Sequence, residues 1–401
     1  MLYNNASNMS FSLIQSQFTS STLKEICLLK TACLTNESRL FRTLPSFRII
    51  RLCLVVLLCS FGSPHVYSAG LTVITHGFAS ATDSWILEMG DAIMQRIEFV
   101  HANMYQLIIE DRGLPGGELS VSLGDTFGKA PTSQPKTSDS GETIVLLCWS
   151  DIDNHLGLEG RSTQVVARSA VTALLRNDLL PEFDKSVMEL PTHFIGHSRG
   201  ASLVTEMARL LGRRGIQIDH ITTLDPRPIG DPDFDASVAI GNNIVFADNF
   251  FRSGCGVPDG RQVPFTHEID LSGIVEDGFC IGELFVPHIR VHTFYHGTIG
   301  TDFNGEVDGQ IIDPAWYSHQ NTSPRDRIGY FWSRIVGGNR PADGLAKAFG
   351  GTAERTTVDT DGSPQWPNIG DIKTRNNRAE FAVAETIPFS FRYQDNALRA
   401  L

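Results

Sequence analysis

The sequence predicts an α/β protein, a mainly parallel sheet flanked by helices with a small β-rich appendage on its C-terminal side. Three observations point there. Short, nearly continuous apolar runs recur from Leu71 onward, as strands buried on both faces require. Helically spaced apolar residues alternate with them, which is the order of a covered parallel sheet. One of these strand-to-helix junctions carries Gly196-His197-Ser198-Arg199-Gly200, a tight turn around a serine.

The candidate strands are Leu71 to Thr75, Gln106 to Glu110, Thr143 to Trp149, Thr192 to Ile195, Ile218 to Leu224 and Asn243 to Ala247. Val166, Ala170, Ala173 and Leu174 share one helical face, so Ser162 to Arg176 is predicted helical. Val204, Met207, Ala208 and Leu211 repeat that spacing directly after Ser198, and Gly212 and Gly215 stop the helix. Leu114 to Gly141, rich in Gly, Ser, Thr and Pro, reads as a long surface insertion. Val257 to Glu283 is a second irregular stretch, and either could cover a site. After Gly337 the composition turns polar and Gly-rich, with strand-like runs at Phe381 to Ala384 and Ile387 to Tyr393. The expected organisation is therefore an N-terminal extension and signal peptide (1–68), a catalytic domain (69–337) and a polar tail with strands (338–401).

Phe47 to Gly70 has the layout of an export signal. Arg48 and Arg51 precede the apolar run Leu52 to Leu58, and Val66-Tyr67-Ser68-Ala69 suits cleavage after Ser68. The apolar run is too short to span a bilayer, so no membrane span is expected after cleavage and the product should be secreted or periplasmic. The formal charge of the 401-residue chain is -12, and the removed segment carries more Lys and Arg than Asp and Glu. The remainder is thus more acidic still, which argues against nucleic acid as a partner. Cleavage leaves three cysteines, of which Cys148 reads as a buried thiol, whereas Cys255 and Cys280 lie in Gly-rich loops and could pair in an oxidising compartment.

A serine hydroxyl is a poor nucleophile until a base takes its proton, and it must be presented on a tight turn to meet that base. Ser198 is so placed, after the strand residues His193-Phe194-Ile195 and before the helix from Ala201. Ile74-Thr75-His76-Gly77-Phe78 ends the first strand. Attack on a carbonyl develops negative charge on oxygen, which two pre-aimed backbone N–H groups can hold, one from Arg199 and one from Phe78.

Thr75-His76-Gly77-Phe78, then Gly196 to Gly200, then Leu224-Asp225-Pro226 resemble the α/β-hydrolase superfamily in its lipase-like branch, over roughly Leu71 to Arg334. The resemblance implies an eight-stranded sheet and a catalytic order of Ser, acid, His along the chain. It implies an esterase or lipase acting on a small-molecule or lipid ester, without a cofactor. An amidase, peptidase or thioesterase on the same scaffold, or an exported binding protein that has lost catalysis, would show the same motifs.

Two acids fit the order. Asp225 follows the strand after the nucleophile and is preferred because Pro226 ends that strand where the side chain must turn. Asp248, in Phe246-Ala247-Asp248-Asn249, follows the next strand. Three histidines, His288, His292 and His296, recur at intervals of four and would share one helical face. His288 is preferred because Pro287 marks a loop end, with His296 and then His292 as alternatives. No metal site is expected: no carboxylate is set among these histidines, and Asp302 to Asp308 reads as a solvated acidic loop despite its alternating oxygen ligands.

Overall fold

The apolar run Leu71–Thr75 forms β1, every residue of it buried, at the centre of an eight-stranded sheet. The computed structural model describes residues 70–78, 84–96, 101–114, 118–129, 141–153, 160–180, 186–254, 259–274, 285–300, 305–320 and 328–358. The export signal, Cys255, Cys280 and the strand-like runs at 381–393 lie outside them. The other strands are β2 (His101–Glu110), β3 (Ser120–Lys129), β4 (Gly141–Cys148), β5 (Thr192–His197), β6 (Ile218–Leu224), β7 (Ile244–Phe251) and β8 (His267–Asp270). Their order is β3-β2-β4-β1-β5-β6-β7-β8, and only the edge pair β2/β3 is antiparallel.

The architecture is the predicted one, a mostly parallel sheet flanked by helices. Its four described α-helices are α1 (Ser84–Arg96), α2 (Thr163–Leu174), α3 (Arg199–Gly212) and α4 (Val286–Gly297). A small antiparallel hairpin, β9 (Glu306–Val307) with β10 (Gln310–Ile311), follows α4 and packs on it. Among the described residues, no helix is long and apolar enough to cross a membrane.

Three elements differ from expectation. Within Leu114 to Gly141 lies β3, which pairs with β2 from Glu110/Ser120 to Ala102/Lys129. Its Gly and polar residues suit an edge strand with water on one side, the composition that made it read as loop. Within Val257 to Glu283 lies the short strand β8. Strand β7 runs on to Phe251, so Asp248 and Asn249 are strand residues, both fully buried. The polar pair concealed the strand's true end.

Residues 338–358, expected as the start of a polar tail, pack against the sheet. Leu345 bridges to Phe246 in β7 and Thr356 to Gly241. The Arg340 guanidinium lies over the Phe246 ring and bonds both oxygens of Asp219 in β6, at 2.7 and 3.0 Å. Arg334 likewise reaches the buried carboxylate of Glu142 in β4. Each buried acid is thereby paired, without which its burial would be strongly unfavourable.

Candidate active site

Ser198 sits between β5 and α3 with φ 56° and ψ -120°, a conformation that side chains other than glycine rarely adopt. Such strain persists only where the surroundings hold it. Here, Ser198 N–H donates to Leu224 O (2.9 Å), and Ser198 O accepts from Arg227 N–H (3.1 Å). The turn is thus bonded on both sides to the turn that follows β6. The flanking glycines are forced by contact, since a Cβ on Gly196 would lie 2.3 Å from Gly200 O, and one on Gly200 2.5 Å from His76 O. Both distances are too short for any side chain.

The loop after β1 lies directly against this serine. A Cβ on Gly77 would fall 2.5 Å from Ser198 Cβ and 3.0 Å from its Oγ. The loop's shape is held by His76, which is fully buried and stacked on Trp149. Trp149 N–H donates to His76 Nε2 (3.1 Å), so in the neutral ring the hydrogen is on Nδ1, which donates to Gly77 O (3.0 Å). Fixing that carbonyl also fixes the plane of the Gly77–Phe78 peptide, and hence the direction of the Phe78 N–H. The other expected donor, the N–H of Arg199, is the first of α3, where a helix has no acceptor of its own to offer.

Asp225 follows β6 with φ 45°, and His288 Nδ1 lies 2.5 Å from its Oδ2. The bond is buried: Asp225 is fully enclosed and His288 7% exposed. The second oxygen, Oδ1, accepts Arg252 N–H (3.1 Å), while the Arg252 guanidinium stands 3.3 Å from Oδ2. A Cβ on Gly260 would lie 1.9 Å from Oδ1, so the chain closes tightly over the carboxylate. Burial lowers the proton affinity of Arg252, while Asp225 and Asp259 oppose the shift. Sequence reasoning missed Arg252. The signal was there, a charged residue following Phe250-Phe251 at the end of a strand, but the strand had been ended too early.

The remaining candidates lie elsewhere. Asp248 sits inside β7, 3.1 Å from His220 Nε2, and burial pushes its carboxyl up to about 7. His220 stacks on His193 with ring centroids 3.8 Å apart, forming a buried cluster with Thr222. The three histidines of α4 do share its buried side, but His288 and His292 have separate partners. His292 stacks on Trp85 (4.3 Å) and faces Asp308 of the hairpin at 3.4 Å. His296 is one turn further on, and burial pushes it down to about 3. Burial also lowers His292, against the pull of Asp308.

The side chain of Arg199 points into the protein. It bonds both oxygens of Asp235 at 2.7 Å and the main-chain carbonyls of Asp153 and Arg161. Asp235 in turn accepts the N–H groups of Thr163 and Ile229. Asp153 and Asp235 are further residues that sequence reasoning did not find. Among the described residues, no group of three or more His, Cys, Asp or Glu is placed to hold a metal ion.

No family model and no curated protein matches the chain. Among solved structures it is similar to the "putative cell surface hydrolase" of Lactobacillus plantarum WCFS1, at 10% identity and a TM-score of 0.27 over 54% of this chain and 78% of that one. It is also similar to the product of gene lin2722 of Listeria innocua, at 14% identity and a TM-score of 0.25, over 39% of this chain and 51% of that one. At these levels of likeness the reading of the site rests on its own geometry.

Proposed function

We propose that this protein is an exported serine hydrolase that cleaves carboxylic esters, as an esterase or lipase, through an acyl-enzyme on Ser198. The observation that carries the reading is the buried 2.5 Å contact between His288 Nδ1 and Asp225, in a molecule whose Ser198 is held in a strained turn bonded to the turn bearing Asp225. With Asp225 accepting from Nδ1–H, Nε2 of a neutral His288 is the basic nitrogen. His288 then takes the Ser198 proton as Oγ attacks the ester carbonyl, and returns it to the departing alcohol. Water attacks the acyl-enzyme with His288 again as base. Asp225 holds the tautomer and stabilises the imidazolium, and the N–H groups of Phe78 and Arg199 hold the oxyanion. Asp248 and His292 have no part in this cycle, because they face His220 and Asp308, and His296 lies a further turn along α4.

Export rests on the sequence pattern of residues 47–70 and predicts a product cleaved after Ser68. The chemistry is tested with a fluorophosphonate probe and p-nitrophenyl butyrate. Wild-type protein should take up the probe and release p-nitrophenol. Ser198→Ala should lose labelling and at least about 10³-fold of the rate, with comparable losses for His288→Ala. Unchanged turnover in Ser198→Ala would overturn the proposal. Running matched ester, thioester and amide substrates separates an esterase from the other acyl hydrolases such a triad can serve.

A further inference from the structure

We propose that His197, the last residue of β5, is a positioning residue that ties the base His288 to the nucleophile turn through a hydrogen bond to the main chain of His288. The inference rests on the serine-hydrolase reading above and adds to it a residue outside the triad. Its Nε2 lies 3.1 Å from His288 O, and the two rings lie 4.3 Å apart, centroid to centroid. A carbonyl oxygen only accepts, so His197 must be the Nε2–H donor.

Two features of α4 make this bond consequential. The helix begins at Val286, and its N-cap residue, Phe285, supplies no side-chain cap. His288 is thus carried on a first turn that lacks the usual side-chain tether. His197, by contrast, is held firmly. It closes a buried strand paired on the β6 side, and its ring packs edge-on to Trp85 (5.7 Å) and to His292 (4.8 Å). Trp85 stacks in turn on His292, so α1, β5 and α4 meet around this imidazole.

Since His197 is covalently joined to Ser198, one hydrogen bond completes a short rigid connection from the nucleophile to the residue bearing the base. A base anchored in this way keeps its distance from Ser198 as the imidazole gains and loses its proton, where a small misplacement is costly in rate. Burial, reinforced by His288 and His292, holds His197 far below the usual imidazole range, so it stays neutral and keeps its donor tautomer while its neighbour is charged.

The test has two parts. In wild-type protein labelled with ¹⁵N-histidine, ring nitrogen–carbon-proton correlation spectra, with His197 assigned by its loss in His197→Gln, should show a neutral Nε2–H tautomer. An Nδ1–H or charged ring overturns the proposal. In the variants, His197→Phe keeps the aromatic packing without the donor, and His197→Gln supplies a donor without the ring. Phe should lower kcat on p-nitrophenyl butyrate about 10- to 100-fold with KM within about twofold, and Gln should recover to within about threefold of wild type. A Phe variant at the wild-type rate, or a Gln variant as impaired as Phe, would sink it. If wild-type Ser198 takes up no fluorophosphonate, the hydrolase reading fails on its own, and the spectra still decide the bond.

Discussion

At Gly77 the absence of a side chain is a requirement of the site, because the position of its missing Cβ is already occupied by Ser198. Gly77→Ala should therefore leave the sheet intact and push Ser198 or the His76 loop aside. A fall in kcat/KM of about 10²-fold or more is expected, with a far-UV spectrum like that of wild type. Activity within a few-fold of wild type would mean that the loop yields easily. Residue by residue, the sequence disclosed the parts of the candidate site that lie at punctuation marks. Ser198 stands between glycines, Asp225 before Pro226, and His288 after Pro287. The supporting contacts were hidden for a physical reason. Arg252 and Asp225 are close only because β6 and β7 pair, and His197 reaches His288 only because α4 returns across the end of β5.

Among the elements, the runs that became β1, β4, β5 and β6 were legible because a parallel strand buried on both faces has little option but to be apolar throughout. Helix α1 was not among the expected elements: Ile86, Met89 and Ile93 carry its helical spacing, but Gly90 interrupts the pattern. A Cβ there would lie 2.4 Å from Met104 Sδ in β2, so the glycine suits the packing of this helix on the sheet. The first turns of α2 and α3 are joined to the loop after β6 by the Arg199–Asp235 pair, both side chains fully buried. Removing one partner strands the other charge, so Asp235→Ala should cost about 3–5 kcal/mol in denaturant unfolding. The double variant Arg199→Met, Asp235→Ala should be less destabilised than Asp235→Ala alone, because the uncompensated guanidinium is gone. An additive or larger loss in the double variant would contradict this account.

For the molecule as a whole, the notable quantity is how many histidines are kept neutral by burial. His193, His197, His220, His292 and His296 are all held below the ordinary imidazole value, with burial the largest cause in each. An unfolded chain takes up a proton at each of them as pH falls through about 6.5, and the native chain does not. Each then withdraws stability by up to about 1.4 kcal/mol per pH unit until its own native value is reached. Asp248 works in the opposite direction. Its carboxyl keeps a proton in the native state up to about 7, so its contribution declines as pH rises from the unfolded value of 3.8. Burial raises the carboxyls of Glu88, Asp91, Glu142 and Glu268 in the same sense as that of Asp248, and the expected sign rests on the histidines, which are the groups that change charge in the unfolded chain between pH 7 and pH 5. The thermal midpoint should fall steadily from pH 7 to pH 5, and calorimetry in buffers of different ionisation enthalpy should show net proton uptake on unfolding near pH 5.5. Net release there would contradict the burial of these rings.

The arginines that pair with the buried acids of the sheet would also set an order of events at synthesis. Glu142 and Asp219 belong to strands made early, whereas their partners Arg334 and Arg340 are translated much later. A nascent chain that has emerged only as far as β8 has both carboxylates facing its core with no cation to meet them, and Phe246 without the guanidinium that lies over it. Such a chain is poised to collapse but has reason not to lock. The segment that carries Arg334 and Arg340 would thus act as a fastener, delaying commitment to the native sheet until the residues of the candidate site have all been made.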